Sequence, residues 1–443
     1  MISRTIAPAA VHETLGRHML ADGYDMVLDL EKSRGRRLYD ARSGRHLLDM
    51  FSFFATMPIG LNHPRLHEQA FLDKLTRAAL ANPANSDIYT TEFAEFVDTF
   101  GRMAMPPYLR YAFFVAGGTL GVENALKAAM DWKVRRNFRN GRRAELGHQI
   151  IHFKDAFHGR SGYTLSMTNT ADPRKYLYFT KFDWPRIVSP AVRFPLTPAE
   201  VDRVAVVEQL AISQIKQAFA NRRDDIAALI IEPIQAEGGD NHFRPEFLRA
   251  IRQLTLENDA LFIVDEVQTG VGLTGKFWAH QHFGIEPDFV AFGKKMQVCG
   301  MIAGPRIDEE PENVFKVSSR INSTWGGNLV DMVRAQRFLE IIEEEKLVDH
   351  AASAGAHLVR QLEALSAEFP GVYTNARGRG LMCAIDLPDG KTRDRVADKA
   401  YELGMVILPC GARSLRFRSP LDVTVDELDE AVDILRKAAG AIG

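Results

Sequence analysis

The sequence predicts an α/β fold: a mainly parallel central sheet covered by helices on both faces, with a smaller, discontinuous α+β part. Two observations predict the sheet. Short apolar runs at 111–116, 149–153, 227–231, 261–264 and 289–292 alternate with amphipathic stretches. Such runs are the mark of parallel strands buried on both faces and joined by helical crossovers. Several of the runs also end in polar residues, as strands do when their carboxyl ends carry a ligand site. A third observation predicts the smaller part: after Ser319 the pattern changes to long helices and short strands.

In chain order, residues 1–50 read as a helix followed by short strands. Leu28-Asp-Leu30 and Arg37-Leu-Tyr-Asp40 flank a turn at Lys32-Ser-Arg-Gly35, and Leu47-Leu-Asp-Met50 follows Ser43-Gly44. This suggests a small antiparallel piece. Asn62-His-Pro64 opens a helix to about Leu80, and 91–101 is amphipathic up to Pro106-Pro107. Tyr111–Ala116 runs through Gly117-Gly118-Thr119 into a helix from Val122 to Trp132. Helices are expected at about 199–220, 245–257 and 277–283, between the later strands. The C-terminal part reads as helices at 328–345, 348–368 and 392–403, with strands near Val372-Tyr373, 380–386, 406–408 and 415–417. A last helix starts at Thr424-Val-Asp-Glu427, which resembles a capping box. The expected division is 1–60, packing with the small domain; 61–327, the large domain; and 328–443, the C-terminal small domain.

Composition bounds the function. The chain has 443 residues, enough for two or three domains, and is 46% hydrophobic and 25% charged. A net charge of −2 argues against a nucleic-acid partner. No run of about 18 apolar residues suggests a membrane span, and the first residues do not read as a secretory signal. Cys299, Cys383 and Cys410 are scattered and odd in number. They fit neither a disulfide framework nor a metal site, and suit a reducing cytoplasm.

The strand ends suggest chemistry. Gly118-Thr119 lies between a strand and a helix, where free N–H groups and the helix dipole favour a phosphate; it is also a common plain turn. Asp265 ends an apolar strand and can pair with a protonated ring nitrogen or serve as a structural ion-pair member. Lys294 ends the next apolar run. A buried lysine loses charge readily and can form a Schiff base, although lysines are usually solvated. Lys295 is adjacent and should point the other way if strand geometry persists. Gly270-Val-Gly-Leu-Thr-Gly275 matches the dinucleotide fingerprint literally. It lies too far past its strand, and no acid-ended second strand follows at the required distance.

Assembled, these motifs resemble the class III (ω-amino acid) pyridoxal-phosphate aminotransferases of fold type I, over nearly the whole chain. The resemblance rests on Ile231-Glu-Pro-Ile-Gln-Ala-Glu-Gly-Gly239, on Asp265 through Gly275, and on Pro287-Asp-Phe-Val-Ala-Phe-Gly-Lys294. Phe157–Thr164, Gly293–Gly300, Asn322–Asn328 and Arg377–Cys383 are most similar to its lysine-ε-transferring branch. Many relatives carry Lys-Gly at the lysine and Ser-Gly-Thr/Ser at the phosphate turn; here Lys294-Lys295 and Gly117-Gly118-Thr119 stand instead.

The resemblance implies a pyridoxal 5'-phosphate cofactor. Lys294 would bond its aldehyde carbon, Asp265 its pyridine nitrogen and Gln268 its phenolic oxygen. Val267 and Phe157 would pack the two ring faces. Gly118 and Thr119 would hold the phosphate, joined by Thr324 from the neighbouring subunit of a homodimer. The implied reaction moves the ε-amino group of L-lysine to 2-oxoglutarate by a ping-pong route. Arg160 would clamp the distal carboxylate and Arg416 the α-carboxylate of 2-oxoglutarate, with Glu237 covering Arg416 when lysine binds; Asn322 completes the substrate-binding set. By chemistry alone Arg418 is as well placed as Arg416. The alternative is a sister enzyme acting on ornithine, acetylornithine or 4-aminobutyrate.

Overall fold

The structure is a computed structural model and describes residues 5–441. Its centre is a seven-stranded sheet. From one edge the strands are Tyr111–Val115, Cys299–Ala303, Phe289–Phe292, Leu261–Asp265, Ile226–Ile231, Gln149–Phe153 and Arg186–Ile187. Cys299–Ala303 runs antiparallel to both neighbours, and the other pairings are parallel. This strand and the two-residue Arg186–Ile187 edge were not expected from the sequence.

Strand alternation divides the core. Leu261, Ile263, Phe289 and Ala291 pack with Val122 and Trp132 of the helix Gly118–Arg139. On the opposite face, Phe262 and Val264 pack with Ile215 and Phe219 of Pro198–Asn221 and with Phe247 and Ile251 of Pro245–Glu257. Successive side chains point to opposite faces. Asp265, two residues past Ile263, therefore falls on the face covered by the Gly118–Arg139 helix.

The C-terminal region holds an antiparallel sheet ordered Thr374–Arg379, Met382–Asp386, Ser414–Phe417, Leu408–Cys410. Helices Leu329–Glu344, Leu347–Glu368, Gly390–Glu402 and Val425–Gly440 surround it, the last with a full Thr424/Glu427 capping box. His46–Asp49 pairs with Arg37–Tyr39 and, in parallel, with Met405–Val406. Arg36 adds ion pairs to Asp422 at 2.9 Å and Glu427 at 2.8 Å.

Several elements differ from expectation. The segment 277–283 is only a 3-10 turn, Ala279–His282. The helix after Pro64 is broken at Glu68, whose extended backbone separates Pro64–His67 from Gln69–Leu80. Leu28 makes an isolated bridge to Asp40 rather than a strand, and the strand placed at Val372 begins at Thr374. Most unusual is a left-handed turn over Ser52–Ala55, with φ values of 37°, 52°, 62° and 65°. No glycine eases it, and each such residue costs roughly 1–2 kcal/mol. Asp49 holds its start by accepting the N–H groups of Phe51 (2.9 Å) and Ser52 (2.6 Å).

Candidate active site

A cavity of about 200 Å³ opens at the carboxyl edge of the central sheet. One wall is the start of the Gly118–Arg139 helix, which no side chain caps. The N–H groups of Leu120 and Gly121 turn back to the Gly117 carbonyl, both at 3.1 Å. Those of Gly118 and Thr119, which line the cavity, are left for an anion at the positive helix end. A Cβ on Gly118 would lie 2.9 Å from Val267 Cγ1, so only glycine lets the turn approach that side chain. Gly117 has φ 108° and open space beyond it.

Asp265 forms the floor, 4% exposed. Its Oδ1 accepts the Val267 N–H at 3.0 Å and its Oδ2 accepts His158 Nδ1–H at 2.8 Å. His158 Nε2 is buried without a partner. Beside them Glu232 accepts the N–H groups of Phe157 (2.9 Å) and Ala236 (3.1 Å). Burial, and then the charge of Asp265, raise its pKa to about 7 against the opposing pull of His158. His158 and Glu232 stand inside motifs already noted, yet no signal in the sequence assigned them to the site. The neighbouring Glu266 turns to the other face and accepts from His280 Nδ1 at 3.0 Å.

Lys294 faces Asp265 from just past the end of the adjacent strand, because Ala291 is paired with Asp265 and the chain reaches Lys294 three residues on. It sits in a 3-10 turn, Lys294–Met296, with φ 50°. Burial, followed by the charges of Arg416 and Arg418, lowers its amine to about 8. The strand geometry that was to separate Lys294 from Lys295 does not persist, since the strand stops at Phe292. The turn separates them instead: Lys295 is buried and its Nζ donates to the Ala55 carbonyl at 3.3 Å, tying down the left-handed turn.

Gln268 connects the cavity to two buried arginines. Its Oε1 accepts from Arg418 Nε at 2.9 Å and Arg416 Nη1 at 3.3 Å, which leaves its Nε2 donor for an acceptor in the cavity. Arg418 is closed off by Asp240, bonded to Nη1 at 2.9 Å and also to Nη2. Arg416 instead donates to Glu237 Oε2 at 2.6 Å and keeps a buried, unpartnered Nε. Arg416 does not line the cavity; Glu237 does, standing in front of it. Glu237 Oε1 is also bound by Lys175, a contact that spans 62 residues and that nothing in the sequence marks.

Phe157 and Val267 line the cavity. Arg160 is exposed outside it, its guanidinium 5.9 Å from the Phe157 ring centroid. Asn322 and Thr324 are exposed and lie off the cavity; Ser86 Oγ donates to the Thr324 carbonyl at 3.4 Å. The Gly270–Gly275 glycines open no helix. A Cβ on Gly270 would meet the Trp278 ring at 2.5 Å, and Gly272 and Gly275 take φ 82° and 83°.

An acid and a lysine opposed at strand ends, beside an uncapped helix start, fit a phosphorylated heteroaromatic aldehyde. The family model for class-III aminotransferases matches residues 19–439. The chain belongs to this family. This class-III aminotransferase uses pyridoxal 5'-phosphate and has fold type I. It is 53% identical to an L-lysine-epsilon aminotransferase of Amycolatopsis lactamdurans, over 98% of this chain and 96% of that one. Identity to the Mycobacterium bovis L-lysine-epsilon aminotransferase is 52%, over 99% and 97%. A lysine aminotransferase structure from M. tuberculosis superposes with a TM-score of 0.97 at 51% identity, covering 99% of this chain and all of that one. A probable 4-aminobutyrate aminotransferase of Caenorhabditis elegans is 34% identical over 93% of this chain and 87% of that one. Among the described residues, no helix is long and apolar enough to cross a membrane, and no cluster of side chains could hold a metal ion.

Proposed function

We propose that this aminotransferase moves the ε-amino group of L-lysine to 2-oxoglutarate, giving 2-aminoadipate 6-semialdehyde and L-glutamate. The observation that carries the reading is the ion pair between buried Arg416 and Glu237, the half-buried carboxylate that stands between it and the cavity. An ω-amino donor brings no carboxylate next to the reacting carbon, so Arg416 must be masked. An oxo-acid brings one, so Arg416 must be unmasked and can then offer a bidentate fork. Lysine rather than 4-aminobutyrate is favoured by 52–53% against 34% identity.

Bound pyridoxal 5'-phosphate supplies an electron sink for the carbon that bears the amino group. Gly118 and Thr119 would hold its phosphate, and Asp265, fixed by His158, would keep its ring nitrogen protonated. Val267 and Phe157, which line the cavity, would pack against the ring, and the free Gln268 Nε2 would donate to its phenolic oxygen. Lys294 would be the residue that bonds the cofactor's aldehyde carbon, and its neutral amine would serve as the base that takes the proton from Cε of lysine. Arg160 and Asn322, exposed outside the cavity, would receive the end of the substrate remote from the reacting carbon.

Thr324 acts across a homodimer interface in this reading. Its segment is exposed, with Trp325 48% accessible, and it packs on the Asn85–Ser86 turn next to exposed Ile88 and Tyr89. Three free cysteines suit a reducing, cytoplasmic setting. Product analysis tests the reaction: lysine with 2-oxoglutarate should yield glutamate and a semialdehyde that cyclises to a piperideine carboxylate. Recovery of an α-oxo acid of lysine instead would overturn it.

A further inference from the structure

Glu237 is shared by two cavities. One is the site just described; the other, about 310 Å³, is lined by Asp172, Lys175, Arg393, Asp394, Cys410 and Gly411 among others. The carboxylate bridges them, with Oε2 on Arg416 and Oε1 on Lys175. Burial opposes its charge, but Arg416 first and Lys175 next hold the Glu237 carboxyl below its ordinary value. Arg393 adds a second cation on the outer side, bonded to Asp394 at 2.8 Å and to the Gly411 carbonyl at 3.1 Å.

Displacing Glu237 from Arg416 would normally strand a half-buried carboxylate, which is costly without another partner. Here that partner is already in place. Lys175 ends the short Pro173–Lys175 turn, whose start is fixed by Asp172 accepting the Arg174 N–H at 3.1 Å. Its side chain is 19% exposed, so its charge is only partly screened.

We infer that Lys175 is a specificity-determining positioning residue: it retains Glu237 on the outer side when a dicarboxylic acceptor takes Arg416, and so lets one site serve both a monocarboxylate diamine and a dicarboxylate. The inference rests on the reading of Glu237 and Arg416 as the carboxylate gate. Lys175 touches neither substrate and acts through Glu237 alone.

The test is calorimetric titration of the holoenzyme with glutarate, a dicarboxylate that cannot react. Lys175→Gln should weaken glutarate about tenfold to a hundredfold, the scale of a lost hydrogen bond to a charged group. Lys175→Arg, which keeps the charge, should stay within about twofold of the parent, and lysine's half-saturation for bleaching the visible band should be equally unmoved by Lys175→Gln. In a Glu237→Gln background the Lys175→Gln effect should vanish, because additivity fails for residues acting through one contact. Parent-like glutarate binding by Lys175→Gln, an equal loss for lysine, or an undiminished loss in the Glu237→Gln background would each overturn the role of Lys175. A parent holoenzyme that does not bind glutarate would instead overturn the gate itself, and the inference with it.

Discussion

His158 and Asp265, 107 residues apart in sequence, form a buried pair in which Nδ1 donates to Oδ2 at 2.8 Å. A carboxylate can only accept, so the proton sits on Nδ1. The pair fixes one oxygen of Asp265 while the Val267 N–H fixes the other. The carboxylate plane is therefore set before any cofactor binds.

Removing the histidine donor should loosen that plane without unfolding the chain. His158→Phe is expected to lower kcat about tenfold to a hundredfold, the kinetic equivalent of a hydrogen bond to a charged group. The visible absorption band of the holoenzyme should shift as well. Unchanged kcat and band would show that Asp265 needs no second anchor.

Lys294 carries a pH dependence of known sign. Burial lowers its amine to about 8, so the neutral, bond-forming amine gains population as pH rises through that value. Cofactor-free protein should take up pyridoxal 5'-phosphate faster from pH 7 to about 8 and then level off. The rate is followed by the rise of the visible band. Lys294→Ala should bind the cofactor only reversibly and show no turnover.

Glu232 governs a different window. Its folded-state pKa of about 7 lies above its ordinary 4.5, so the folded chain holds more protons than the unfolded one between these values. Stability contributed by this group is complete below 4.5 and is lost as pH rises through 7. Asp49, raised to about 6 chiefly by burial, acts in the same direction. Melting temperatures of Glu232→Gln across pH 4.5–7.5 should therefore fall less steeply than the parent's, while some slope remains.

Gly159 should tolerate no side chain. Its φ is 126°, and a Cβ would lie 2.3 Å from Thr119 Oγ1 and 2.8 Å from Thr164 Oγ1. Gly159→Ala is expected to cost about 1–3 kcal/mol in denaturant unfolding. It should also weaken cofactor retention, because Thr119 must move. Gly141→Ala, with φ 85° but open space, meets only the backbone term and should cost less.

What was legible in the sequence follows from the physics of strand ends. Leu261–Asp265 and Phe289–Phe292 are apolar runs stopped by polar residues, and composition alone exposes that pattern. The antiparallel Cys299–Ala303 was hidden because Gly300 breaks its apolar run. Gly300 is there because a Cβ would come 2.0 Å from the Phe113 carbonyl, a packing demand visible only in three dimensions. The left-handed turn at Ser52–Ala55 has no glycine to announce it and is held by the adjacent Asp49 and by Lys295 from a distant segment. Lys175 and His158 reach the site through long-range contacts, for which local patterning carries no signal.

The most direct measurement compares amino donors in the first half-reaction. Purified holoenzyme is mixed separately with L-lysine, L-ornithine, N-acetylornithine and 4-aminobutyrate, and the visible band is followed before 2-oxoglutarate is added. Lysine is expected to bleach the band fastest at equal concentration, and 2-oxoglutarate to restore it with release of glutamate. Ornithine or 4-aminobutyrate bleaching it while lysine leaves it intact would contradict the assignment of lysine as the amino donor.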